Sequence, residues 1–581
     1  MRIRGTRETA ADTGPAVDDA WARARLLAPL YALVAVVLTW PLAAHLSGSL
    51  PYGTEPVPTV GLFNLWTLRW NQDRAGHLFA HYWDAPVFHP TTSTFALSEP
   101  QPLTGLVFTP LSWATGNPVL AANGWAAARL ARRLGVAPIP ALLAGVLAQG
   151  MPFVATQMGV LQLTVVFPLF LLLDTVVRWA SGGGGRREAG EMGLWLAVTF
   201  LTCGYYGLFA VVGIGVPALM LARRSWLTRE RLTELAVAAG VFAVLALPIV
   251  VAQSRVTDDY PRPDDLVEGL SATTGDFWQL SPRAHGAGVL PWVGDDGSGQ
   301  TLYPGTALLA LGLAGFALAY RRPGDGEDEG DESDDRRRRL LLFLLVGAAL
   351  GRILALGLNF SLGPWQPYRL LRAVVPGFAS LRSPFRFAVL TEVFLVALAA
   401  LGLDALWRWR PRSPWQSDGR RRAWGALAAL VVVVAGVVEA GIMPVHLFRV
   451  DQETPDWAAW LDDHGAQSAA GDGSVAFLPF PPDNGVASYA DTTRRMLQSL
   501  DVGVATVNGY SGLFPADYEE LEIAMRAYPS EEADALLRRF GVSYLVVDAG
   551  WLVADPVSES WLTFRYPRVF DGVDTVVFEV T

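Results

Sequence analysis

Residues 26–46 read LLAPLYALVAVVLTWPLAAHL, and from Gly53 to Gly105 the chain continues GTEPVPTVGLFNLWTLRWNQDRAGHLFAHYWDAPVFHPTTSTFALSEPQPLTG. The first stretch is 21 residues long, and a bilayer-crossing helix needs about 20 predominantly apolar residues. It follows an arginine-bearing segment (Arg2, Arg4, Arg7, Arg23, Arg25) and is longer than the apolar core of a secretory signal, so it reads as a retained first span. The second stretch is too long for a simple connection between helices, since loops beyond about 15 residues are usually functional or disordered. It is rich in aromatic and apolar residues, which argues against disorder. A first span followed by a long, structured loop is the pattern from which the rest is read.

Composition agrees. Of 581 residues 51% are hydrophobic and 17% charged, where soluble proteins carry about 25% charged residues. Lys is absent, so every strong cation is Arg, and Cys203 is the single cysteine, which excludes a disulfide within the chain. The formal net charge of −10 argues against nucleic acid as a partner, because such proteins leave a basic footprint.

Further apolar runs fall near 139–154, 161–178, 191–204, 206–222, 233–252, 303–320, 340–358, 385–406 and 423–442. Arginines concentrate in alternate gaps: Arg129, Arg132 and Arg133; Arg186 and Arg187; Arg223, Arg224, Arg229 and Arg231; Arg321, Arg322 and Arg336 to Arg339; Arg408, Arg410, Arg412 and Arg420 to Arg422. Positive charge marks the cytoplasmic side. With one more crossing between about 104 and 128, this predicts an α-helical polytopic membrane protein with about 11 transmembrane helices, the N-terminus inside and the C-terminus outside. The domain plan is a cytoplasmic segment 1–25, a membrane domain 26–442 with outer loop 47–103, and an outer α/β domain 443–581. Residues 182–185 read as a flexible glycine linker. The run 321–339, acidic and then basic, is expected to be a disordered cytoplasmic loop. Residues 443–581 hold 8 Arg against 22 Asp and Glu, and their short β-type runs suit a small soluble domain. The extra crossing is broken by Pro110, Gly116, Asn117 and Pro118, so it is either a crossing or a re-entrant segment buried against other helices.

The candidate chemistry lies mainly in the first loop. Glu55, Asp73, Asp84 and Glu99 are carboxylates beside a membrane surface, able to act as a general base or to hold a divalent cation against phosphate. For any single one of them, capping a short helix or pairing with Arg69 or Arg74 is the commoner role. Glu99 stands out because Ser98-Glu99-Pro100 immediately precedes apolar sequence. His77 and His81 have the i, i+4 spacing of a helical metal pair, with Asp73 one turn earlier; against that, the metalloprotease glutamate is missing between them. Arg382 and Arg386, four residues apart at the end of a span, suit a lipid-linked phosphate, because guanidinium binds phosphate as a fork. Tyr205 and Tyr206 sit at a tight turn, and Trp66, Trp70, Tyr82 and Trp83 suit a membrane interface.

Several pieces together resemble the GT-C superfamily of polytopic membrane glycosyltransferases, especially its poorly characterised bacterial members. These are residues 64–66, WDAPVFHP (83–90), SEPQPLTG (98–105), Asn117-Pro118, LRSPFRF (381–387), VNGYSGLFPADY (507–518) and GVSYLVVD (541–548). The resemblance implies a cytoplasmic-membrane enzyme with a long first outer loop. Its donor would be a polyprenyl-phosphate-linked sugar, and its acceptor a cell-envelope glycan or lipid. Glu99, Glu55, Asp84 and Asp73 are then the catalytic candidates. Arg386, Arg382, Asn64, Tyr206 and Trp66 are the substrate-binding candidates, with membrane lipid around them. The resemblance makes no cofactor certain, and a divalent cation (Mg or Mn) is the candidate. The resemblance leads one to expect Gly-Asp about four residues before Asn64, where this chain has Thr59-Val60. The stretch 117–129 is also shorter than the pattern calls for. A non-catalytic relative that binds a lipid-linked glycan, or scaffolds an envelope complex, is the alternative. A transporter is the third reading, weakened by few charges within spans (Asp174, Arg352, Glu392) and no repeat of hydropathy.

Overall fold

The structure is a computed structural model and describes residues 18–45, 48–53, 56–105, 118–221, 228–257, 262–290, 292–294, 299–321, 330–409, 418–450, 453–463 and 474–580. Most of these residues are helical. Six helices are long and apolar enough to cross a membrane: Pro138–Thr156, Leu161–Ser181, Gly204–Leu221, Arg229–Val256, Pro384–Arg408 and Ala423–Ala440. Ala28–Leu38 and Thr306–Arg321 are apolar but shorter. Pro118–Arg133, Arg186–Thr202 and Gly330–Ala355 are helices with more polar residues. Against the expectation of about eleven crossings, six helices among the described residues meet both the length and the apolarity criterion.

Burial separates a centre from a rim. In the helix Pro384–Arg408, Val389, Leu390, Val393 and Phe394 are wholly buried, whereas Val244 of Arg229–Val256 is 76% exposed. A helix that is apolar all round and still exposes that surface needs lipid to cover it. The centre is closed by small residues. A Cβ on Gly315 would lie 2.2 Å from the Leu398 carbonyl, and one on Gly402 2.2 Å from that of Leu311. The helices Thr306–Arg321 and Pro384–Arg408 therefore touch backbone to backbone, as glycine allows between membrane helices.

Two local expectations change. Residues 330–339, expected as disordered loop, form the first turns of the helix Gly330–Ala355. Asp335 accepts from Arg339 at 2.8 Å across one turn, and acidic residues at a helix start oppose the helix dipole. Residues 322–329 lie outside the described part. The glycine run at 182–185 begins inside a π-helical turn, Trp179–Gly183, and leads into the helix Arg186–Thr202, whose first turn is closed by Glu188 accepting from the Gly185 N–H. The debated segment 106–117 lies outside the described residues. The helix Pro118–Arg133 after it contains Arg129, Arg132 and Arg133, which the arginine distribution places in a connecting gap.

Asp174 explains that extension. It is buried and pairs with Arg129 (3.2 Å), Arg133 (3.0 Å) and Arg178 (3.4 Å), so the arginines bind this end of the bundle together. Glu392, inside a span, accepts from the Phe153 N–H at the break between the helices Pro138–Gln149 and Pro152–Thr156. Asn123 likewise accepts from the N–H groups of Val166 and Phe167 at the start of Phe167–Arg178. Each of these polar side chains meets backbone groups that lipid could not satisfy.

Seven short strands complete the fold. β1 (Ser49–Pro51) pairs antiparallel with β2 (Leu447–Arg449). β3 (Ser474–Leu478), β4 (Ala505–Thr506), β5 (Val542–Asp548), β6 (Arg568–Asp571) and β7 (Thr575–Glu579) form one sheet in the order β4-β3-β5-β7-β6. β3 is parallel to β4 and β5, while β7 is antiparallel to β5 and β6. β3 is buried along its whole length, as strands inside a parallel layer are. This α/β region does not have a core to itself. Leu62, Trp66 and Phe95 of the first loop pack in one cluster with Leu478, Tyr518 and Leu545. Arg69 on the loop helix Thr59–Gly76 pairs with Asp501 at 2.6 Å. The first loop and the C-terminal sheet are one layer, set against one end of the helices.

Candidate functional site

The backbone around Glu99 is tied on both sides. A single turn, Thr94–Leu97, leads into it, and the Ser98 carbonyl accepts from the Gln253 amide at 3.0 Å. The Pro100 carbonyl accepts from the Asn71 amide at 2.7 Å, and Gln101 donates to the Asn64 Oδ1 at 3.0 Å. Gln101 is held at φ +47°, the left-handed region that a residue with a Cβ occupies at a cost of about 1–3 kcal/mol, persisting only where the surroundings fix it. From above, a Cβ on Gly512 would come 3.1 Å from the Leu97 carbonyl. The VNGYSGLFPADY stretch therefore lies on the segment that presents Glu99.

The Glu99 carboxylate accepts from the Tyr205 N–H at 3.1 Å and from the Gln162 amide at 3.2 Å. Cys203 Sγ stands 4.0 Å away. Burial pushes the Glu99 carboxyl above the ordinary glutamate range; Arg386, the two hydrogen bonds and Arg382 pull in the other direction without cancelling it. The two arginines act across space. Arg386 lies over the Tyr205 ring at 4.7 Å from its centroid. Arg262 donates to the Gly512 carbonyl at 2.6 Å, and burial and then Arg382 push its guanidinium down to about 10.

The polar atoms around Glu99 are incompletely used. Among the described residues, Arg386 Nε, Arg262 Nε, Gln162 Oε1 and Gln101 Oε1 are buried without a hydrogen-bond partner. Buried polar groups are almost always paired, so several orphans in one place call for water or a ligand. The arrangement offers one carboxylate with a raised pKa beside three arginines, a proton acceptor next to a place for an anion.

Of the other expected site residues some fall elsewhere and some join the cluster. Glu55 lies outside the described residues. Asp73 pairs with Arg74, and Asp84 accepts from the Ser93 N–H at 2.9 Å, both at the surface. Trp66 is 2% exposed and packs between Phe63 and Phe95, which closes it to a substrate. Tyr206 is wholly buried, donating to the Leu163 carbonyl at 2.6 Å; its neighbour Tyr205 is the one at the site. Asn64 is buried and positions Gln101. It also donates to the Val60 carbonyl at 2.8 Å. Thr59, at the expected Gly-Asp position, starts the loop helix and donates to the Val486 carbonyl at 2.7 Å. Arg382 and Arg386 precede and open the span Pro384–Arg408 and reach the Glu99 cluster.

The metal readings find no donor set. The loop helix ends at Gly76, so His77 and His81 are not one turn apart on a helix; His77 lies toward Asp73 and His81 toward Asp84. No group of three His, Cys, Asp or Glu able to hold a metal ion occurs among the described residues. One carboxylate flanked by arginines does not fit Mg or Mn, which take several oxygen donors. Gln162 and Tyr205, the partners of Glu99, and Arg262, which holds Gly512, come from three distant parts of the chain, and no local motif marks them.

No protein-family model and no curated protein sequence matches the chain. Two solved structures are similar over most of its length. One is the oligosaccharyltransferase of Archaeoglobus fulgidus tethered with an acceptor peptide, at 13% identity and a TM-score of 0.49, covering 96% of this chain and 74% of that one. The other is ArnT from Cupriavidus metallidurans in the apo state, at 13% identity and a TM-score of 0.46, covering 97% and 98%. Both are GT-C superfamily membrane glycosyltransferases, and the likeness is one of chain path alone, across which no residue's role passes.

Proposed function

We propose that this chain is a membrane glycosyltransferase of the GT-C kind, taking a sugar from a polyprenyl-phosphate carrier to a cell-envelope glycan or lipid. The observation that carries the reading is the Glu99 cluster: a carboxylate held by Tyr205 and Gln162, its pKa raised by burial, beside Arg386, Arg382 and Arg262. In the reaction, Glu99 takes the proton of an acceptor hydroxyl. The freed oxygen bonds to the anomeric carbon of the sugar as the bond from that carbon to the phosphate oxygen breaks. The polyprenyl phosphate leaves with the bonding electron pair, and the arginines hold its charge. The described donor set favours arginines over a cation for that task, and no step needs a metal. The C-terminal layer and Glu99 lie on the outer side of the cytoplasmic membrane in this reading, with eleven crossings and the N-terminus inside, as the arginine distribution suggests.

A second reading is a non-catalytic binder of a lipid-linked glycan. Val60 at the position of the expected Asp favours it, because an apolar side chain there supplies no base. The test is a short-chain polyprenyl-phosphate sugar mixed with purified, lipid-reconstituted protein and followed by mass analysis. Binding with release of polyprenyl phosphate is expected. Binding with the donor left intact in the presence of envelope acceptors would favour the second reading, and no binding by folded protein would overturn both.

A further inference from the structure

The turn after the loop helix Thr59–Gly76 is built against its own backbone preferences. Leu78, Phe79 and His81 are held at φ +54°, +59° and +52°, in the left-handed region that residues with a Cβ rarely occupy. Such conformations persist only where the surroundings fix them. Here the Arg74 carbonyl accepts from the Phe79 N–H at 2.6 Å, and the Arg74 side chain donates to the Ala80 carbonyl at 3.2 Å. The Trp70 indole donates to the Tyr82 carbonyl at 2.9 Å, and the Tyr82 hydroxyl donates to Asn71 at 2.8 Å. The turn so fixed points apolar side chains outward: Leu78 is 90% exposed and Phe79 45%. Trp66 and Trp70, rings that suited a membrane interface by composition, are instead buried inside the layer.

What covers this tip follows from its level. The helix Arg229–Val256 exposes Val244, Leu247 and Val251, a face that needs lipid. Its apolar run, 233–252, has the length of about 20 residues that crosses the hydrocarbon. Gln253, Ser254 and Arg255 follow that run and mark the membrane boundary. At this boundary the Gln253 amide donates to the Ser98 carbonyl, and the turn Thr94–Leu97 lies against the same helix. Two ring contacts lead from there to the tip: Phe95 to Tyr82 at 5.1 Å between centroids, and Tyr82 to Phe79 at 5.7 Å. Leu78 and Phe79 therefore hang close to the level at which a lipid-facing helix leaves the hydrocarbon. His77, His81 and Asp84 beside them are exposed polar groups, suited to the headgroup zone.

We propose that the Leu78–Phe79 tip inserts into the membrane leaflet on the Glu99 side. Apolar side chains gain by leaving water for the acyl chains, and a turn already fixed loses little freedom on entry. The aromatic contacts that carry the tip also hold Thr94–Leu97, which leads into Glu99. The wedge thereby sets the height of the Glu99 segment over the headgroups. The proposal concerns contact with lipid and is independent of the reading given to the Glu99 cluster.

The full chain suits site-directed spin labelling, because its single cysteine, Cys203, is buried. Leu78→Cys and Phe79→Cys report on the tip, Val244→Cys on the lipid-facing helix, and Val573→Cys on an exposed turn of the C-terminal sheet. Each is labelled with a nitroxide in nanodiscs of phosphatidylcholine and phosphatidylglycerol. Collisions with oxygen, which concentrates among acyl chains, are compared with collisions with a water-soluble nickel chelate. The label at position 78 is expected to behave like that at 244, with oxygen accessibility several-fold above nickel. The label at 573 is expected to show the reverse. If Phe79→Cys fails to fold, Leu78→Cys, which replaces an almost fully exposed side chain, and Ala80→Cys give the same reading. Nickel accessibility at position 78 equal to that at 573 would overturn the proposal. Shielding of position 78 from both reagents would also overturn it, since protein and not lipid would then cover the tip.

Discussion

Two carboxylates stand among arginines near opposite ends of the helix Leu161–Ser181, and they are built differently. Asp174 is hydrogen-bonded by Arg129 and Arg133 at 3.2 and 3.0 Å and has Arg178 Nε at 3.4 Å; Glu191 pairs with the same Arg178, so ions meet ions directly even though Arg178 Nε itself makes no hydrogen bond among the described residues. Glu99 takes its hydrogen bonds from neutral groups, the Tyr205 N–H and the Gln162 amide, while Arg386 and Arg382 stay at a distance. Buried polar atoms near it, Arg386 Nε and Arg262 Nε among them, have no partner among the described residues. A closed ion cluster holds helices together. An open one keeps its donors for something that arrives later, and that distinction separates a structural group from a site.

Substitutions sharpen the contrast. Glu99→Gln is expected to lower sugar transfer by about 10²–10⁴-fold, the range a positioned general base supplies, with the donor still bound. Asp174→Ala is expected to destabilise the protein by about 1.5–3 kcal/mol, because it removes the charged acceptor that three partly buried arginines share. Its effect on transfer per folded molecule is small, measured as a lowered melting temperature with retained specific activity. If Asp174→Ala instead abolished transfer in folded protein, the two clusters would not be separable.

A smaller effect concerns the phosphate side. Arg386→Gln is expected to raise the KM for donor about 10–100-fold, as loss of a charged hydrogen bond does, with a lesser change in kcat. An unchanged KM would move the phosphate elsewhere. Smaller still is Tyr206→Phe, which removes a buried hydrogen bond to Leu163. It should cost about 1 kcal/mol of stability and leave KM for the donor as it was.

The pH dependence follows from the direction of the Glu99 shift. A base must be ionised, so kcat/KM falls as pH drops through a pKa lying above the ordinary glutamate range. For stability, the folded pKa lies above the unfolded one. Glu99 therefore contributes stability below the unfolded value, and that contribution is lost as pH rises through the folded value. Glu99→Gln is thus expected to melt higher than the parent at neutral pH, and a lower melting point there would contradict the burial argument.

Much of the helical architecture was legible because hydrophobicity is a local property. The apolar runs at 139–154, 161–178, 206–222, 233–252, 385–406 and 423–442 coincide with the six helices able to cross a membrane. Charge misled at 330–339, where Arg and Asp can serve a helix as readily as a solvated loop. Spacing misled at His77 and His81, since i, i+4 has meaning only on a helix and this one stops at Gly76. Glu99 was recognisable from its place before an apolar stretch, and Arg382 and Arg386 from their pairing at a span end. Tyr205 and Tyr206 were not distinguishable, because adjacent helix positions point about 100° apart and only packing decides which faces the site. Gln162 reaches Glu99, and Arg262 reaches Gly512 beside it, through tertiary packing alone.

The central claim, that the open cluster is the site, is tested most directly by single-turnover transfer from a short-chain polyprenyl-phosphate sugar in lipid-reconstituted protein, comparing the parent chain with Glu99→Gln at saturating donor. The account predicts full donor binding by both and loss of the sugar-release step in the variant by at least about 100-fold. Release at the parent rate in the folded variant would contradict it.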